Sequence, residues 1–295
     1  MGALANEFSL DSDAVHQVLM RARERASAAA VGAAIARAAA GEPLDVDDMA
    51  LLWSAPAEDG PRLYAAACAA RARRPAHLET FSPLYLTNTC DAECRMCGMR
   101  SDNSALARET VDLATVDSQL ALLRRRGMYG VALLTGEYRA GKRGWALDYV
   151  NRALRRTQVH GFRHVLINVG SIEADEFAAL LAGIPRRADG AVAPKLTMCT
   201  FQETYARTSY RKFMGDKADN PRADYDRRLA NFDRAHAAGM RVANPGILVG
   251  LDPDLGFELI ALALHVRHLL ARGMEVYVST PRLRQIAGSA NQRGA

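Results

Sequence analysis

Cys90, Cys94 and Cys97 sit in the stretch FSPLYLTNTCDAECRMCGMR, Phe81 to Arg100, with three residues between the first pair and two between the second. Cysteine thiolate is the usual protein ligand of iron–sulfur iron, so three thiolates on one tight loop can hold three irons of a cubane [4Fe–4S] cluster. The fourth iron then has no protein ligand and can take a small molecule. Zinc is the rival reading, but zinc takes a fourth Cys or His at regular spacing. No such partner pair is evident, and the seven histidines show no ligand spacing. Cys199 lies inside an expected strand and reads as a small buried apolar residue. Trp53 and Cys68 read as core residues.

The elements that must position this loop follow from periodicity. Asp13 to Ala40 is rich in Ala, Arg, Glu, Leu and Met, which predicts a helix stopped by Gly41-Glu42-Pro43. Further helices are predicted over Asp45 to Trp53 and over Leu63 to Arg74, the last ended by Pro75. From Ser82 onward strands and helices alternate. Strands are predicted at Leu84–Asn88, Gly130–Thr135, His164–Val169, Lys195–Phe201, Arg241–Leu251 and Glu275–Ser279. Helices are predicted at Val111–Arg126, Gly144–Gln158, Ala174–Ala182, Ala223–Ala238 and Leu255–Ala271. Such alternation implies a parallel sheet with right-handed crossovers. Six βα units curl towards a (β/α) barrel, whose chemistry sits at the C-terminal strand ends. The cysteine loop follows the first strand, where that rule places it. The expected organisation is an α/β fold, with a helical extension over 1–80 and a barrel core over 81–295.

Composition narrows the partners. Net charge is +5, carried almost wholly by Arg, with Lys only at 142, 195, 212 and 217. A modest excess spread along the chain does not argue for nucleic acid. Five cysteines, three in one loop, do not make a disulfide framework and fit a reducing, cytoplasmic setting. No signal peptide is read. The run Ala26 to Ala40 is too short and too interrupted for a membrane span.

The spacing of the three cysteines is the signature of the radical S-adenosylmethionine (SAM) superfamily. Several strand ends resemble one branch of it. These are PLYLTNTC, then Thr135-Gly136-Glu137 after strand two, Gln202 to Tyr205 after strand four, GILVGLD with Gly246 and Gly250 on strand five, and STPRLR, Ser279 to Arg284, at strand six. Together, over roughly residues 42 to 284, they resemble the ThiH/HydG/NosL group of aromatic amino acid lyases. The CDAECRMCGMR loop looks most like the tryptophan-lyase branch, because Met96 stands where most relatives carry an aromatic residue.

The resemblance implies a TIM-type radical SAM barrel of at least six βα units, partial or truncated. It implies a [4Fe–4S] cluster on Cys90, Cys94 and Cys97, and SAM on its open iron. One electron from the cluster would cleave SAM, and the 5′-deoxyadenosyl radical would fragment free L-tryptophan to 3-methyl-2-indolic acid for thiopeptide antibiotic synthesis. Tyrosine cleavage of the 2-iminoacetate synthase type, or a truncated non-catalytic paralogue, are the alternatives. A flavodoxin or ferredoxin would supply the electron. SAM contacts are expected from Thr135, Gly136, Glu137, Asn168, Ser171, Gln202, Glu203, Gly246, Gly250 and Arg284, and substrate contacts from Tyr85 and Arg282. Relatives continue past strand six, where part of their substrate-anchoring shell is expected.

Overall fold

Four helices precede the first strand: α1 (Ser12–Arg25), α2 (Ala28–Ala40), α3 (Val46–Trp53) and α4 (Gly60–Ala72). They belong to a computed structural model describing residues 7–74, 78–193, 195–284 and 289. The one helix predicted over Asp13 to Ala40 is two, because Ser27 turns extended and its hydroxyl accepts from Ala30 N at 3.2 Å, capping a new helix. Gly41 then closes α2 in the left-handed conformation, φ 75°. Val31, Ala34, Ile35, Leu51 and Ala66 form the core of this unit, which also takes in Asp252–His265. Two sequence expectations fail here. Cys68 is exposed and Trp53 is 42% exposed, because both fall off the narrow apolar face that three short helices share. Pro75 lies outside the described residues.

The second unit draws on segments Met1–Ser9, Glu79–Leu251 and Val266–Ala295. Its strands are β1 (Phe81–Tyr85), β2 (Gly130–Leu134), β3 (His164–Asn168), β4 (Lys195–Cys199), β5 (Val242–Asn244) and β6 (Glu275–Val276). They form one sheet in chain order, each neighbour parallel. The helices between them are α5 (Leu113–Arg125), α6 (Ala140–Val159), α7 (Ala174–Leu180), α8 (Arg207–Met214), α9 (Tyr225–Leu229), α10 (Asn231–Ala237) and α11 (Leu255–Ala271). This is the predicted barrel-like array of six parallel βα units. Side-chain alternation divides its two faces. Val131, Leu133, Val165, Ile167, Leu196 and Met198 join the helix-side core with Val150, Leu154, Phe177 and Phe232. Ala132, Leu166 and Cys199, with Leu134 and Phe201, line the inner face.

Two differences from expectation matter for the site. β1 begins and ends three residues earlier than predicted. Residues 86–88 instead pair backwards: Asn88 N donates to Glu109 O at 3.1 Å and Val111 N to Leu86 O at 3.1 Å. β1 is an edge of the sheet, which is why Pro83 is tolerated in it. The helix predicted over Ala223–Ala238 is broken at Ala230 into α9 and α10, and α8 went unread.

At the N-terminal end of the strands, His164 Nδ1 meets Glu79 Oε1 at 2.5 Å and Nε2 meets Thr197 Oγ1 at 2.5 Å. A neutral ring satisfies both, donating to the carboxylate and accepting from the hydroxyl. Burial accordingly lowers the His164 pKa, with Glu79 opposing. A depressed folded pKa means the folded state binds fewer protons than the unfolded chain. Stability from this group is therefore full above the unfolded value of about 6.5 and falls as pH drops below it. In His164→Asn the loss of melting temperature between pH 7.5 and 5.5 should be smaller than in the unmodified protein, as differential scanning calorimetry would read.

Candidate active site

The C-terminal ends of β1 to β4 surround a cavity of about 200 Å³. Its walls include Tyr85, Cys90, Cys94, Cys97, Thr135, Gly136, Glu137, Asn168 and Glu203, all expected from sequence, and Leu134, Phe201, Arg222 and Arg228. The cysteine loop reaches it because it is tied to the turn after β2. Asp91 N donates to Glu137 O at 2.9 Å, and the Asp91 carboxylate accepts from Arg139 N at 3.1 Å and Lys142 Nζ at 2.8 Å.

Gly136 makes that contact possible. A Cβ there would lie 2.1 Å from Thr89 O and 2.6 Å from Cys90 Cβ. Its close approach is thus to the cysteine loop itself. Gly136→Ala should cost about 1–3 kcal/mol, as overpacking against backbone does. Urea unfolding of the metal-free chain, together with iron content after anaerobic reconstitution, would check both consequences.

Burial pushes the Cys94 thiol up to about 12, against the pull of Arg222. Burial also raises Cys90, opposed by backbone N–H donors from Glu137 and Ala92. Metal-free, these thiols keep their protons, which bound iron would displace. The sulfurs are prepared for that. Cys90 Sγ accepts from Glu137 N at 3.3 Å and Ala92 N at 3.4 Å, and Cys97 Sγ from Met99 N at 3.4 Å. Such bonds to sulfur tune iron–sulfur potentials. Among the described residues no three Cys, His, Asp or Glu side chains converge on a single-ion point. The three thiols border a shared volume, which suits a multi-iron cubane better than one zinc ion.

Behind the thiols lies a buried ionic quartet. Glu137 Oε1 accepts from Ser171 N at 3.0 Å, and its Oε2 is 3.1 Å from Arg228 Nη1 and 3.8 Å from Arg222 Nε. Arg222 Nη2 donates to Glu203 Oε1 at 3.0 Å. Burial works against the Arg222 charge, yet Cys94, Glu203 and Glu137 together hold its proton more firmly than usual. Burial and the neighbouring Arg222 weaken the hold of Arg228, with Glu137 opposing. Among the described residues Arg222 Nε is buried with no hydrogen-bond partner, its charge answered by Glu137 at the 3.8 Å ion-pair distance. Glu203 takes φ 72°, the left-handed region, where a non-glycine residue is strained. Gly170, at φ 81°, leaves room for the Glu137 side chain, which a Cβ would meet at 2.5 Å.

The remaining expected residues lie off the cavity wall. Gln202 is buried and does not line the cavity, although Phe201 and Glu203 on either side of it do. Ser171 is buried behind Glu137 and contributes its backbone N–H. Gly246 is filled by its own chain: a Cβ would meet Ser279 O at 2.6 Å and the Phe201 ring at 2.8 Å. Gly250, Arg282 and Arg284 are exposed. Sequence reasoning missed Arg222 and Arg228 because neither carries a spacing signature in an Arg-rich chain. Arg222 lies in the connection after the unread α8, and Arg228 lies on α9, within the helix predicted over Ala223–Ala238.

No protein-family model matches the chain. It is 30% identical over 260 residues to the 2-iminoacetate synthase of Escherichia coli strain K12, covering 86% of this chain and 64% of that protein. It is 28% identical over 254 residues to the 2-iminoacetate synthase of Salmonella typhimurium strain LT2, covering 83% and 61%. The chain therefore spans somewhat under two thirds of these relatives. Among solved structures, the FeFe-hydrogenase maturase HydG from Carboxydothermus hydrogenoformans superimposes with a TM-score of 0.79 at 23% identity, covering 97% of this chain and 65% of that one. The chain is thus similar in sequence to 2-iminoacetate synthases and in fold to the hydrogenase maturase HydG.

Proposed function

We propose that this chain carries a [4Fe–4S] cluster on Cys90, Cys94 and Cys97, binds SAM in the cavity beside it, and fragments a free aromatic amino acid. The meeting of the three thiols with the paired cations Arg222 and Arg228 on one cavity supports this reading above all else. When bound, the reduced cluster supplies the electron that cleaves SAM to a radical able to take hydrogen from substrate.

The chain's own residues do the placing. Arg222, held by Glu203, offers a planar donor to a carboxylate. Glu137, fixed by Arg228 and the Ser171 N–H, keeps the turn after β2 against the cysteine loop. Thr135 and Asn168 present polar groups at adjacent strand ends, and Leu134 and Phe201 give an apolar floor for an aromatic ring. Tyr85, on the edge strand and 53% exposed, stands at the rim.

The sequence match to 2-iminoacetate synthase favours tyrosine, with p-cresol and dehydroglycine as products, over the tryptophan reading. Buried Met96 is the residue that favours tryptophan. A low-potential flavodoxin or ferredoxin in the cytoplasm would donate the electron. The test is anaerobic reconstitution with iron and sulfide, then SAM, dithionite and each aromatic amino acid, with product analysis by mass spectrometry. 5′-Deoxyadenosine with p-cresol is the expected result. An indole carboxylate would move the substrate to tryptophan, and a full cluster that never cleaves SAM would sink the catalytic claim.

A further inference from the structure

We infer that Arg108 is a positioning residue for the cluster, a clamp that closes the cysteine loop and aims the Cys97 sulfur; this rests on the iron–sulfur reading above. The Arg108 guanidinium donates to four backbone carbonyls. Nη1 reaches Asn88 O at 2.8 Å and Met99 O at 2.9 Å, and Nη2 reaches Arg100 O at 2.6 Å and Asn103 O at 3.4 Å. Asn88 lies before the first cysteine, and Met99, Arg100 and Asn103 lie after the last. One planar cation thus grips both ends of the segment that holds all three thiols.

The clamp has a fixed base. Residues 107–111 run back along residues 86–88, where Asn88 Nδ2 donates to Ala107 O at 2.8 Å and Glu109 N to Asn88 Oδ1 at 2.7 Å. Thr87 and Thr110 pair across the same ladder, their hydroxyls 2.7 Å apart. This pairing pins the Arg108 backbone beside β1, so the side chain spans the loop from a rigid anchor. The far end is braced as well, by Asn103 Nδ2 donating to Gly98 O at 2.7 Å.

The gripped residue is also the one that touches a sulfur. Met99 O accepts from Arg108, and Met99 N donates to Cys97 Sγ. Arg108 therefore acts on the thiolate through Met99. Groups that orient metal ligands in this way are typically worth 10–100-fold in metal affinity. A lysine offers one point charge and cannot fork across four carbonyls.

The experiment uses the full chain, reconstituted anaerobically, without substrate. In Arg108→Ala, iron loss to a chelator should be about 10-fold faster. The midpoint potential should move negative, as an N–H···S bond and a nearby cation are lost, and the spectrum of the reduced cluster should change. Arg108→Lys should fall between. If both variants match the unmodified protein in chelation rate, potential and spectrum, the clamp is overturned while the iron–sulfur reading stands. If the unmodified protein itself takes up no cluster, that reading fails first. Should Arg108→Ala not fold, Arg108→Lys decides: a chelation rate and potential equal to those of the unmodified protein overturn the clamp.

Discussion

Cys94→Ala should purify as a folded chain that, on the iron–sulfur reading proposed above, assembles no [4Fe–4S] cluster and cleaves no SAM. Cys94 is the deepest of the three loop thiols, 4% exposed, and it sits next to Arg222. Losing a direct ligand should exceed the 10–100-fold cost typical of groups that merely orient one. The metal-free fold should barely notice. A buried neutral thiol behaves as a small hydrophobe, so its replacement by Ala should cost about 1 kcal/mol or less. Iron and sulfide content, absorbance near 400 nm and 5′-deoxyadenosine release would read the first effect, and urea unfolding of metal-free protein the second. A variant that keeps its brown colour and its SAM cleavage would remove Cys94 from the ligand set.

Arg228→Leu should be strongly destabilising. Arg228 is 4% exposed and is bonded to Glu137 Oε2 and, through Nε, to Phe201 O at 3.0 Å. Removing one partner of a buried ion pair leaves the other charge uncompensated and costs about 3–5 kcal/mol. Glu137 would keep only the longer Arg222 contact and the Ser171 N–H. The double variant Glu137→Gln with Arg228→Leu should recover a good part of the loss, since the stranded charge is gone. Denaturant unfolding of the two single variants and the double variant forms the cycle that measures this coupling. Simple additivity of the two changes would mean that the quartet does not act as a unit.

The parallel array was legible because its signals are local and repeated. Runs such as Val131 to Leu134 and Val165 to Ile167 are continuous apolar segments between helical periods, the mark of strands covered on both faces. The cysteine spacing and the Thr135-Gly136-Glu137 turn were legible because chemistry restricts residue types there. The failures came from geometry carried by long-range contacts. Gly246 reads as a ligand-facing glycine, yet the atoms its missing side chain makes room for are Ser279 O and the Phe201 ring. Gln202 beside Glu203 reads as a pair, yet of the two Glu203 alone lines the cavity. Arg222 and Arg228 lie 85 and 91 residues past Glu137, and only the folded chain brings them to it.

The different placements of Phe201, Gln202 and Glu203 constrain how this segment can evolve. A single inserted or deleted residue between Cys199 and Glu203 would change which of these positions meets the cavity. Homologues should accordingly vary here in residue identity while keeping the number of residues constant, and length polymorphism should be confined to the turns at the opposite rim.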